Sequence, residues 1–139
     1  MAQRIARVVA FGSLIKGSAP PKRKRLDMGR TPRAEDSKHL AAIRQCPCIV
    51  CGRDPAGEAA HIRMTAPDKP NPGMGAKPDD QFSVPLCHAC HMKQHTMGEL
   101  QFWLKAGINA LRMAGRLWGL SPNVEKMRAM VLAAIGGAK

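Results

Sequence analysis

Aromatic side chains are scarce in this chain of 139 residues, at 4% of the total. The core must therefore be modest and built from Ala, Leu, Ile, Val and Met, and a core that small calls for a staple, either disulfides or a metal. Acidic residues are scarce as well, 10 against 22 lysines and arginines, for a net charge of +12 and a pI near 10.2. So one-sided a surface attracts polyanions, nucleic acid or an anionic membrane, with solubilising charge as the plainer alternative. No apolar run reaches the roughly 18 residues that cross a bilayer. That absence argues against a membrane partner and favours nucleic acid.

A convincing secretory signal is missing too. Val8–Ile15 is a short apolar stretch that meets Lys16 and a basic run at once. Residues 1–25 are basic and free of acids, as in transit peptides, but a cytoplasmic setting is the stronger expectation. The five cysteines are an odd number, which suits reduced thiols holding metal better than a disulfide framework. A length of 139 residues fits one domain, and no internal repeat is visible.

Along the chain, residues 1–35 read as a basic, flexible N-terminal arm. Ala19-Pro20-Pro21 leads into Lys22-Arg23-Lys24-Arg25, four consecutive cations that cannot bury themselves. Such an arm is either a plain tail or a sequence-blind grip on phosphates. A short helix follows, capped by Asp36 or Ser37, with Leu40 and Ile43 on one face and a stop at Cys46-Pro47. Short strands are expected at Ala59–Ile62 and Phe82–Leu86, the second at an edge or strand end because of Pro85. Between them, residues 64–81 hold four prolines and two glycines and must be loop. From Cys87 to His95 the pattern is helical. Thr96-x-x-Glu99 reads as a capping box that opens one long helix to Gly119, with Leu100, Trp103, Leu104, Ile108 and Leu111 buried. Trp103 and Trp118 read as core. Pro122 opens a last helix with Val124, Met127, Val131 and Ile135 inward.

The most specific pattern is Cys48-x-x-Cys51, then 35 residues, then Cys87-x-x-Cys90. A two-residue spacer lets both sulfurs of a pair reach one ion, so two pairs predict a tetrahedral structural Zn²⁺ in a treble-clef-like or zinc-ribbon site. Gly52 is free to take the positive φ that wraps backbone around a metal. Cys46 competes with Cys48 as a ligand. A redox role would need a thioredoxin-like βαβ pattern, which is lacking. Next come His91 and His95, four apart on one helical face and so able to share an ion, unless one of them joins the zinc site or simply faces solvent. Cys90 and His91 differ by about 100° around the helix, which puts two metal sites on neighbouring faces. His61, on the first strand between the cysteine pairs, is the third functional candidate. Gly73-Met74-Gly75-Ala76-Lys77 lacks the rest of a P-loop and is no nucleotide site, but its amides and Lys77 suit a phosphate.

Together, Cys48-x-x-Cys51, Ala60-His61-Ile62, Val84-Pro85-Leu86-Cys87-x-x-Cys90-His91 and His95 resemble the zinc-bearing branch of the HNH (ββα-metal, His-Me finger) nucleases. More narrowly, the chain is similar to small phage and prophage HNH proteins first catalogued as a domain of unknown function. The segments that carry the likeness are Pro47-Cys48, Ala60–Arg63, Gly73–Asp80, Pro85–His91 and Gly98–Trp103, spanning about residues 36–118. The resemblance implies an α+β fold: a ββα-metal centre with a structural zinc, one helix before it and two after it, the last at 119–139. It implies a metal-dependent endonuclease acting on DNA, with RNA as the second option, in a bacterial cytoplasm. His61 would act as general base, with Mg²⁺ or another divalent cation on His91 and His95. Arg63, Lys77 and Lys22–Arg25 are the expected nucleic-acid contacts. The family usually has Asp or His before the base, where this chain has Ala60. Asp79 and Asp80 are the candidates to replace that ligand, ahead of Glu58. The Asn expected before the second strand is also missing, with Phe82 near its place. A zinc-stabilised nucleic-acid-binding module without catalysis, or a phage assembly protein, are the rival readings.

Overall fold

The computed structural model describes residues 32–69, 73 and 75–137; the cations Lys22–Arg25 lie outside the described residues. Contacts group Pro32–Lys139 as one unit, so Arg33 and Ala34 belong with the body of the chain and not with the arm that composition assigned to residues 1–35. The first helix, α1 (Ser37–Arg44), starts where Asp36 takes extended backbone and its carboxylate accepts the His39 amide at 2.9 Å. It buries Ile43, Ala42 and His39 and stops just before Cys46-Pro47.

A tight turn follows. The Gly52 amide donates to the Cys48 carbonyl at 2.9 Å, the Cys48 amide to the Arg53 carbonyl at 2.8 Å, and Gly52 takes φ +76°. Strand β1 (Gly57–His61) then pairs antiparallel with β2 (Ser83–Cys87), in a register that sets Gly57 opposite Cys87, Ala60 opposite Val84 and His61 opposite Ser83. A 3₁₀ turn (Asp80–Phe82) delivers the chain into β2. All five residues of β2 are buried. Pro85, which has no amide to give a ladder, still accepts at its carbonyl from the Ile49 amide at 3.1 Å. That bond presses the Cys48–Cys51 turn against β2.

Helix α2 (His88–Met97) continues directly from β2 and packs on both strands. Three more helices follow: α3 (Glu99–Ala106) against α2, α4 (Ala110–Leu120) against β2, and α5 (Val124–Gly136) against α1 and α4. Among the described residues the fold is α+β, a two-stranded sheet with five helices. Its core is Ile43, Ala60, Ile62, Val84, Leu86, Leu117, Met127 and Val131, each fully buried. No described helix is long and apolar enough to cross a membrane.

Three expectations for the C-terminal part are corrected. The segment expected as one helix from Thr96 to Gly119 is two, because Gly107 takes φ +67° and Asn109 caps a fresh start by accepting the Arg112 amide. Three helices, not two, therefore follow the strand–strand–helix part. The capping box is absent: Thr96 lies inside α2 with its hydroxyl on the Met92 carbonyl, and Gly98, at φ +88°, makes the break. Leu100 and Leu104 are consequently on the outside, at 57% and 65% exposure, while Phe102 and Trp103 point inward and Trp118 is half-exposed. Finally, Pro122 precedes the cap of α5 instead of opening the helix; Asn123 caps it by accepting the Lys126 amide.

Candidate functional site

The turn after α1, the end of β2 and the first turn of α2 converge on four cysteines. The Sγ atoms of Cys48, Cys51, Cys87 and Cys90 all lie within 4.8 Å of one another, with Cys51 and Cys87 at 3.5 Å. A tetrahedron with Zn–S bonds of about 2.3 Å has S–S edges of about 3.8 Å, whereas a disulfide is about 2.05 Å. All five cysteines are free thiols, and this spacing matches the tetrahedron. The tetrad can hold a zinc ion. Cys46 stands apart: its buried thiol faces the Ala42 carbonyl at 3.4 Å, and burial pushes it up to about 11. Cys48, not Cys46, is the cysteine of this turn that joins the tetrad.

The donor set itself asks for a cation. Burial and the neighbouring thiols push Cys90 well up, and burial leads the upward shift of Cys51. Burial opposes ionisation of Cys87 as well. Hydrogen bonds from the Cys90 backbone and the other thiols outweigh it and bring Cys87 down to about 7. The Cys51 and Cys90 thiols thus resist ionising beside Cys87, and positive charge at the centre of the group would favour their thiolate forms.

Three of the five histidines are held by carboxylates, at two places. His61, at the end of β1, has Nε2 2.8 Å from Oδ1 of Asp80. Asp80 is 2% exposed at the start of the 3₁₀ turn. It also accepts from the Arg33 guanidinium and, on Oδ2, from the Asp36 amide at 2.8 Å. Burial would raise its pKa, but the bonds from His61, Asp36 and Arg33 hold it below the ordinary carboxylate value. Arg33 is itself fixed by Nε on the Pro78 carbonyl at 2.9 Å.

The second group is on α2. Glu58 projects from β1 so that Oε2 meets Nδ1 of His91 at 2.7 Å and Oε1 meets Nδ1 of His88 at 2.8 Å. Those two hydrogen bonds, His91 first, lower the Glu58 pKa. The rings of His91 and His95 lie one turn apart with centroids at 4.8 Å and a 33° tilt. Among the described residues, the cysteine tetrad is the one set of three or more His, Cys, Asp or Glu whose ligand atoms are this close together.

The candidates to stand in for a ligand at Ala60 thus go to different partners. Asp80 is committed to His61 and Arg33; Asp79 accepts the Ala34 amide at 2.9 Å; Glu58, the weakest sequence candidate, is the carboxylate beside His91. Ala60 is fully buried. Arg63 and Lys77 are exposed, and both the Arg63 and Met64 amides donate to the Glu99 carboxylate at 2.9–3.1 Å. Three contributors escape a reading of spacing alone. Arg33 sits in what composition marks as the arm. Glu99 acts across 36 residues. Buried His39 pairs with Ser121 at 2.8 Å and stacks edge-on to Trp118. Compared with family models, curated proteins and solved structures, the chain matches none of them.

Proposed function

We propose that this protein is a metal-dependent endonuclease of the HNH, or ββα-metal, type, hydrolysing DNA phosphodiester bonds with His61 as general base. The observation that carries the reading is that two histidines, His61 and His91, are each held by a separate carboxylate on a strand–strand–helix frame tied by four thiols. Structural histidines do not need such partners; a base and a metal ligand do, because one ring nitrogen must be fixed so that the other presents its lone pair.

At His91 the Glu58 carboxylate accepts a hydrogen bond from Nδ1–H, which leaves the Nε2 lone pair free to ligate. His95, one turn on, is the second donor. These two residues would hold a divalent cation, which would supply positive charge against the phosphate and the departing 3′ oxygen. His61 takes a proton from the attacking water. Exposed Arg63 and Lys77, within a chain of net charge +12, hold the phosphate backbone without reading bases. The setting that fits is a bacterial cytoplasm, in a phage or prophage context.

The test is plasmid cleavage with Mg²⁺, Mn²⁺ and Ni²⁺, comparing wild type with His61→Ala at equal zinc content. Cutting that vanishes in the folded variant supports the reading. Equal cutting by both removes His61 as base. DNA binding without cutting under any metal replaces the nuclease with a zinc-stabilised binding module.

A further inference from the structure

The geometry points to Asp80 as the positioning residue for His61, with Arg33 and the Asp36 amide holding Asp80 in place. The inference rests on the nuclease reading for its functional meaning, but its physical content is separate. Asp80 is buried and, as a carboxylate, acceptor-only, so the 2.8 Å contact with His61 Nε2 requires a proton on that nitrogen; the Arg33 guanidinium approaches Nε2 only to 3.4 Å and spends its closer contact on Asp80. That fixes the Nε2–H tautomer and leaves Nδ1 as the lone-pair atom. No described residue hydrogen-bonds Nδ1, so it is the atom left to accept from water.

Asp80 is in turn held by three donors. Oδ1 receives Arg33 and His61, and Oδ2 receives the Asp36 amide. Every donor around it requires an oxygen. A buried carboxylate with that many donors neither rotates nor protonates readily, and so is a rigid reference for the imidazole ring. Among the described residues it also forms no close ligand group with His91 and His95, which separates it from the family expectation of an acidic metal ligand near the base. The segment that supplies Arg33 lies 47 residues from Asp80 in sequence. The approach to α1 therefore takes part in setting the base, although nothing in its composition announces it.

Asp80→Asn tests this, because it keeps the shape while replacing one oxygen by a donor. With the amide oxygen kept on the Asp36 amide, the NH₂ faces His61 Nε2 and demands an acceptor there, which drives the ring to Nδ1–H. The ¹⁵N shifts of His61 read the tautomer directly in metal-loaded and metal-free protein. The expected results are Nε2–H in wild type and Nδ1–H in Asp80→Asn. With them should come a fall in kcat of about 10²- to 10⁴-fold, with KM and Mn²⁺ affinity unchanged, and no further loss when Asp80→Asn is added to His61→Ala. Nδ1–H in wild-type His61 overturns the inference without any variant, even if Asp80→Asn fails to fold. A loss of Mn²⁺ affinity in Asp80→Asn overturns it in favour of a metal-ligand role. Wild type that cuts nothing yet carries Nε2–H removes the nuclease and leaves the pairing. Wild type that cuts but carries Nδ1–H does the reverse.

Discussion

Removing one thiol at a time separates the tetrad that can hold zinc from the fifth cysteine, and the structure sets the expected size of each effect. Cys48, Cys87 and Cys90 are buried and join the turn after α1, the end of β2 and the start of α2. Structural zinc in small modules is worth about 10–16 kcal/mol. A whole domain is stable by only about 5–15 kcal/mol, and the sheet here has two strands. Cys48→Ser or Cys90→Ser is therefore expected to abolish the folded strand–strand–helix part, not merely to weaken it. Cys46→Ala removes one buried sulfur that touches only the Ala42 carbonyl among hydrogen-bond partners. The cost should be about 1–2 kcal/mol, the scale of a small cavity, with metal retained. The assay is zinc released per chain on thiol modification, alongside thermal unfolding by circular dichroism with and without chelator. One zinc per chain in wild type and in Cys46→Ala, and none in Cys48→Ser, is the expected pattern. A melting temperature indifferent to chelator, or full zinc content in Cys48→Ser, would refute the reasoning.

Glu58→Gln should cut Mn²⁺ affinity about 10- to 100-fold, the usual effect of losing a carboxylate behind a ligating histidine, in isothermal titration with zinc content unchanged. Buried His39 has its pKa lowered by burial. Folding is thus undisturbed above the ordinary value of 6.5 and loses stability as pH falls below it, because only the unfolded chain takes up the proton; His39→Leu should flatten urea-unfolding curves compared between pH 7 and pH 5. Asp80, whose pKa is lowered, adds a second loss that begins only below 3.8, so Asp80→Asn should remove the steeper acid limb. The exposed pair of Arg128 with Asp54 ties α5 to the turn region, and because water screens such pairs, Arg128→Ala should move the midpoint of the same denaturant titration only slightly.

What the sequence makes legible here is whatever short spacing dictates. Two residues between cysteines leave little choice of geometry, and His91 and His95, four apart, fall on one face of the helix that the pattern from Cys87 predicts. The α3–α4 break was less legible. Leu100, Leu104 and Leu111 continue a helical period through Gly107, and periodicity alone cannot tell a stripe that packs from one that faces solvent. The carboxylate partners were hidden for another reason. Asp80 reaches His61 across 19 residues and Arg33 across 47, and Glu58 reaches His91 across 33. Such pairs are set by strand register and by how the chain returns to the sheet, which no local pattern records. Arg33 was masked further by its neighbours, since a run of cations and prolines reads as solvated arm whatever one member does.

The register of β1 against β2 has a consequence for how this molecule tolerates insertions and deletions. Gly57 opposite Cys87 and His61 opposite Ser83 mean that both ends of one five-residue ladder carry chemistry. Slipping it by one position turns every side chain to the other face, so a single added residue in either strand would misplace a thiol and the imidazole together. The connection from Ile62 to Asp79 answers to a softer rule, for doubling a loop costs only about 0.6 kcal/mol in closure entropy. Length variation in descendants of this chain should therefore gather between the strands and be missing within them, provided Asp80 still arrives at His61.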